Sequence, residues 1–172
     1  MPTTFKNQGT LSYNNQSIPS NVVTGVLTEV LSVSKTAIPA AYQNGNTITY
    51  AVQLVNSGTA GLTGLTLTDN LGAYTPAAGT AAVVPMTYQS DTLRYYRNGI
   101  LQATPTIAAT SPLTVTGLSI PAGGNTTLMY AVKTNQFTPY GAEESVTNTA
   151  TVTGGGLATP LTAEATVNAC LL

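Results

Sequence analysis

Apolar and polar residues alternate with a period of two along most of this chain, and Gly, Pro or Asn breaks the alternation at short intervals. A strand points successive side chains to opposite faces, so this pattern is what a half-buried sheet needs. A helix would need apolar residues every third or fourth place, and no such stripe is present. The pattern predicts strands over 26–36, 47–56, 62–69, 92–97, 100–104, 113–120, 126–134, 146–153 and 161–169. Asn98-Gly99 marks a two-residue hairpin, and Pro121-Ala-Gly-Gly-Asn125 marks another turn. Seven to nine short strands in 172 residues predict an all-β, antiparallel, immunoglobulin-like β-sandwich. Two segments, Ile48-Thr-Tyr-Ala-Val52 and Leu128-Met-Tyr-Ala-Val132, resemble each other and read as two similar central strands.

Residues 1–25 stand apart from the sandwich expected over 26–172. They form either an extra hairpin or an extended arm able to complete a neighbour's sheet edge. Sheet edges are usually blunted with charged side chains, and this chain carries 5 basic and 6 acidic residues in all, against 32 threonines. A surface so poor in charge suits a subunit that packs against copies of itself.

The same scarcity limits the chemistry. There is no His, so no imidazole base, and one Cys, Cys170, builds neither a zinc site nor an internal disulfide framework. Neither phosphate-binding glycine pattern occurs. A net charge of −1 without a basic run gives nucleic acid nothing to grip, and no apolar run is long enough for a membrane-spanning helix. No enzyme, cofactor or metal is expected. Met1–Lys6 does not read as a secretory signal, nor the C-terminus as a sorting motif. The threonine-rich, charge-poor composition looks extracellular.

Strand parity singles out three residues. In the segment from Leu27 to Ala37, Lys35 shares the apolar face of Leu27, Leu31, Val33 and Ala37. Asp69 follows inward-facing Leu65 and Leu67. Asn148 lies between Val146 and Ala150 in the inward row of its strand. An isolated charge cannot be buried cheaply, so these groups must pair, neutralise or react. Burial favours the neutral amine and the neutral acid. A neutral Lys35 amine beside the Asn148 amide is a nucleophile facing an acyl carbon. A protonated Asp69 bonded to the amide oxygen would polarise it and pass a proton to departing ammonia. The product is an intramolecular Lys–Asn isopeptide bond, formed once. The alternative is a buried Lys35–Asp69 ion pair with Asn148 as a hydrogen-bonded neighbour. Glu29 has the parity of Lys35 and is a reserve for the acid.

The segments Ser32-Val-Ser-Lys-Thr-Ala37, Gly45-Asn-Thr-Ile-Thr-Tyr50, Val55-Asn-Ser-Gly58, Leu65-Thr-Leu-Thr-Asp-Asn-Leu71 and Asn148-Thr-Ala-Thr-Val-Thr-Gly154 occur in that order. Together they resemble the bacterial surface "conserved repeat domain", the domain-of-unknown-function family number eleven of Gram-positive wall and fimbrial proteins. The resemblance runs from about residue 30 to 167. It implies a β-sandwich with a structural or adhesive surface role. By position it implies Lys35, Asp69 and Asn148 as the crosslinking lysine, acid and asparagine. The expected function is a structural subunit of a surface fibre, pilus-like appendage or layer, with copies of itself as partner through strand augmentation or exchange. The alternative is a monomeric adhesin module binding host protein or glycan through loops within 86–104. Arg94-Tyr-Tyr-Arg97 is a candidate contact patch there, against ordinary cross-strand pairing. Cys170 is either incidental or an intersubunit disulfide partner.

Overall fold

The computed structural model describes residues 3–27, 30–77 and 79–170. They are all β-strand, turn and loop, and no helix is long and apolar enough to cross a membrane. The chain divides into two units, Met1–Val30 and Leu31–Leu172.

The first unit is one long hairpin. Strands β1 (Thr3–Asn7) and β4 (Val23–Leu27) pair antiparallel, and inside them β2 (Thr10–Tyr13) pairs with β3 (Gln16–Pro19). Asn14 and Asn15 close the tip with φ of 47° and 60°, the left-handed pair that a tight two-residue hairpin requires and that Asn tolerates best after Gly. Ser20 pins the junction between the pairs, its hydroxyl accepting from Gly9 N at 2.9 Å. Residues 1–25 were expected as hairpin or arm; among the described residues 3–27 form a paired hairpin, with Val23–Leu27 folding back on β1. Apolar side chains on the inner pair stand in solvent: Leu11 is 69 % exposed, Tyr13 74 % and Ile18 63 %.

The second unit is the sandwich. Seven strands of eight or more residues form its body: β5 (Leu31–Ile38), β7 (Thr47–Asn56), β8 (Leu62–Asp69), β13 (Leu113–Ile120), β14 (Asn125–Thr134), β15 (Ser145–Gly154) and β16 (Leu161–Ala169). Short strands complete the edges: β6 (Ala41–Tyr42), β9 (Met86–Tyr88), β10 (Arg94–Arg97), β11 (Ile100–Leu101) and β12 (Thr106–Thr110). One sheet runs β11-β10-β14-β7-β5, with β9 on the far half of β14; the other runs β12-β13-β8-β15-β16-β6. All pairings are antiparallel except β16 with β6. Asn98 and Gly99 join β10 to β11 with positive φ at both positions.

Alternation sets the core. Along β14 every second residue from Thr126 to Thr134 is buried, and β7 and β15 follow the same rule. Ile48, Tyr50, Val52, Leu65, Leu67 and Val115 are fully buried between the sheets. The two similar segments are neighbouring central strands, paired with Tyr50 opposite Tyr130. The outer face of the second sheet is laid with threonine. Thr114, Thr68, Thr151 and Thr162 form one rung across four strands. Beside it Thr147 and Thr166 share a hydroxyl hydrogen bond of 2.8 Å.

Candidate functional site

The three residues marked by parity meet in the core. Lys35, on edge strand β5, sits opposite Val52. Asp69 ends β8, opposite Ala150 of β15 and Leu113 of β13. Asn148 lies two residues from Ala150 on the same face of β15, next to Asp69 along the sheet. The Lys35 and Asp69 side chains are 0 % exposed, and Asn148 is fully buried.

The contacts define which atom does what. The Lys35 ammonium donates to Asp69 Oδ2 and lies 4.6 Å from the centre of the Tyr50 ring. The Tyr130 hydroxyl donates to the same Oδ2. Asp69 Oδ1 accepts from Leu71 N at 3.0 Å. The carboxylate is thus an acceptor on both oxygens, and neither reaches Asn148. The Asn148 oxygen instead accepts from Gly72 N at 3.2 Å. This differs from the expected arrangement, in which a protonated Asp69 bonds the amide oxygen. The reason is the turn after β8: Leu71 and Gly72 take φ of 54° and 73°, which swings Gly72 N across to Asn148. The Asn148 side chain acts on the Tyr50 hydroxyl, holding the phenol down against the effect of burial, while its Nδ2 has no partner that meets hydrogen-bond geometry among the described residues.

The electrostatics favour a reactive amine. Burial pulls the Lys35 amine down to about 8 from its ordinary 10.5, partly offset by the charge of Asp69 and its hydrogen bond. Burial and then the charge of Asp69 push the Tyr130 phenol well above its usual range, so it stays a donor at any physiological pH. Burial likewise raises Tyr50.

Sequence reasoning marked Asp69-Asn70 as a turn opener but missed the parts played by Tyr50, Tyr130 and Gly72. Nothing in a strand marks one tyrosine as special, although the likeness of the segments around Tyr50 and Tyr130 was a signal that they lie side by side. Asn70 completes the turn. Its Oδ1 accepts from Gly72 N at 2.9 Å and from Thr149 N at 3.0 Å, and its own N donates to Thr149 O at 3.0 Å. The turn is thereby clamped to Thr149, the residue that follows Asn148.

The other candidates lie elsewhere. Glu29 falls outside the described residues. Cys170 is exposed with a free thiol. Arg94-Tyr-Tyr-Arg97 is not an exposed aromatic patch, because Tyr95 is buried with its hydroxyl on Ser119 O at 2.9 Å, and Arg97 is engaged with Gln102. Among the described residues no three His, Cys, Asp or Glu side chains gather as metal ligands.

No protein-family model matches the sequence, and no curated protein matches it. The resemblance to the conserved repeat domain therefore stands on the quoted motifs alone. Solved structures do match. The major pilin subunit BcpA of Bacillus cereus aligns at 11 % identity over 95 % of this chain and 48 % of its own, with a TM-score of 0.55. The N-terminal domain of the Streptococcus gordonii adhesin Sgo0707 aligns at 13 % identity over 90 % and 36 %, with a TM-score of 0.60. The full-length major pilin SpaD of Corynebacterium diphtheriae aligns at 15 % identity over 78 % and 34 %, with a TM-score of 0.55. The fold is that of pilin sandwich domains. The chain spans less than half the length of each of these proteins.

Proposed function

We propose that this protein is a structural subunit of a bacterial surface fibre or layer, built from copies of itself and locked internally by a Lys35–Asn148 isopeptide bond. It catalyses no turnover reaction. The observation that carries the crosslink is a buried lysine, already shifted towards its neutral form, sharing the core with an asparagine whose amide nitrogen has no hydrogen-bond partner. A buried polar nitrogen without a partner is costly and calls for an explanation. Loss as ammonia supplies one.

In the reaction, Asp69 Oδ2 takes a proton from the Lys35 ammonium along their hydrogen bond. The freed amine attacks Cγ of Asn148, and the new C–N bond replaces the bond from Cγ to Nδ2. The attacking nitrogen sheds a second proton as it becomes the amide; that proton and the one held by Asp69 both go to the departing nitrogen, which leaves as ammonium, and the carboxylate is restored. Intact-mass measurement of purified protein tests this step: the expected mass is one ammonia below that of the sequence. An unshifted mass leaves the triad as an ion pair with a neighbour.

Assembly is assigned to the N-terminal hairpin. A lone two-stranded hairpin is marginally stable in water, and this one holds Leu11, Tyr13 and Ile18 in solvent. Seating it on a second copy would cover them, and the few charges on the sandwich edges leave such pairing unopposed. The pilin-type fold supports a surface location and a homopolymer. Negative-stain microscopy of the wild type and of a Leu11→Lys, Ile18→Lys double variant tests the arm: fibres or sheets are expected from the first and not the second. Polymers from both would refute the hairpin as the connector. A monomer from both, at high concentration, would favour the adhesin-module alternative.

A further inference from the structure

We propose that the backbone N–H of Gly72 is the oxyanion-stabilising donor of the crosslinking reaction, a role separate from the proton transfer carried by Asp69. The inference rests on the isopeptide reading and assigns it a second working part.

The assignment follows from which atoms are occupied. Attack of the Lys35 amine on Cγ of Asn148 moves the carbonyl electron pair onto Oδ1, which becomes an oxyanion until the bond to Nδ2 breaks and the carbonyl re-forms. Some donor has to meet that charge. Asp69 is committed elsewhere: Oδ1 to Leu71 N at 3.0 Å, and Oδ2 to Lys35 and Tyr130. Gly72 N is the donor on the Asn148 oxygen, at 3.2 Å.

The same N–H also donates to Asn70 Oδ1, at 2.9 Å. Before reaction it is shared, with the shorter bond going to Asn70. As charge builds on the Asn148 oxygen, the bond to that oxygen strengthens, because hydrogen bonds to a charged acceptor are roughly twice as strong as neutral ones. An interaction that is weaker in the ground state and stronger in the transition state is the kind that accelerates a reaction.

The position also has to be glycine. A Cβ at residue 72 would stand 2.4 Å from Val146 Cγ1 and 2.9 Å from Met86 Cε, and φ there is +73°. Only a residue without a side chain brings its N–H to the Asn148 oxygen. The buried Leu71 adopts φ of 54° just before it, an uncommon conformation for a branched residue, at the place where the chain is turned towards the amide.

Replacing the Gly72 amide by an ester tests the proposal in the full chain. Glycolic acid is inserted at position 72 by in vitro translation with an acylated suppressor transfer RNA, and ammonia loss is followed by mass spectrometry. A control ester goes at Gly156, whose surroundings are open. Wild type and control are expected to lose ammonia, and the Gly72 ester at least about 100-fold more slowly, the usual cost of one oxyanion donor. An ester that reacts as fast as wild type overturns the role of Gly72 and leaves the crosslink standing. A wild type that keeps its ammonia overturns the crosslink itself.

Asn70→Asp gives a second readout that does not depend on the ester folding. It is isosteric and sets a charged acceptor against the same N–H, so the reaction should slow at least tenfold at neutral pH. The deficit against wild type should shrink as the pH falls through the carboxylate range. An unchanged rate, or a deficit that ignores pH, overturns the proposal.

Discussion

Asn148→Ala isolates the contribution of the proposed crosslink to stability. The substitution removes the electrophile and leaves the Lys35–Asp69 pair and Tyr130 in place. Its local cost is small: Nδ2 has no partner to lose, and Gly72 N keeps Asn70 Oδ1. About 1 kcal/mol covers the lost packing. The bond itself closes a loop of about 114 residues, from Lys35 through Asn148. Constraining the unfolded chain over such a loop contributes about 5 kcal/mol, by the same entropy argument that applies to disulfides. For a chain of this length each kcal/mol moves Tm by about 2–4 °C, so the variant, losing about 6 kcal/mol in all, should melt about 12–24 °C below wild type. Differential scanning calorimetry with intact mass on the same samples reads both quantities. A drop below about 5 °C, with the wild type one ammonia lighter, would refute the loop-entropy reasoning. A wild type at full mass would remove its premise.

The same variant carries a pH signature. Its Lys35 stays an amine that gives up its proton near pH 8 when folded, whereas the unfolded chain holds that proton to about 10.5. Between those values the unfolded state binds more protons, so stability rises with pH, by about 1.4 kcal/mol per unit at most. The raised Tyr130 phenol works the other way once free tyrosine begins to ionise near pH 10, which closes the window there. Urea melts from pH 7.5 to 10 should therefore show Asn148→Ala gaining stability and crosslinked wild type, whose Lys35 nitrogen is an amide, gaining none from this residue. Gly72→Ala should destabilise by about 2–4 kcal/mol through overpacking against Val146 and positive φ, seen as a lowered denaturation midpoint with an unchanged slope.

The body of the sandwich was legible because its seven long strands bury one face and wet the other, which prints a period of two on the sequence. Lys35, Asp69 and Asn148 were legible for the same reason, as polar residues out of step with that period. What escaped has little local signature. Ala41–Tyr42 is a strand only because Asn168–Ala169 lies beside it, more than a hundred residues away. Met86–Tyr88 is three residues on half of β14, and Thr106–Thr110 holds two alanines where strands prefer branched residues. The direction of the Gly72 N–H depends on a left-handed leucine, a conformation that leucine does not advertise. In the proposed reaction the proton carrier and the oxyanion donor are two groups, Asp69 and Gly72 N, where sequence reasoning gave both tasks to Asp69.

The threonine rungs on the outer face of the second sheet have a consequence for the setting in which the protein works. A hydroxyl and a methyl offer nothing to protonate and nothing for salt to screen. Among the outward-facing residues of β15 and β16, Glu164 is the only ionisable side chain, and it is already bonded to Thr149 at 3.1 Å. Away from Glu164, whatever settles on that face meets the same hydroxyls and methyls in fresh water, in brine, in acid or in alkali. Its grip then depends on fit and on displaced water, and a change of weather in the medium leaves it unaltered.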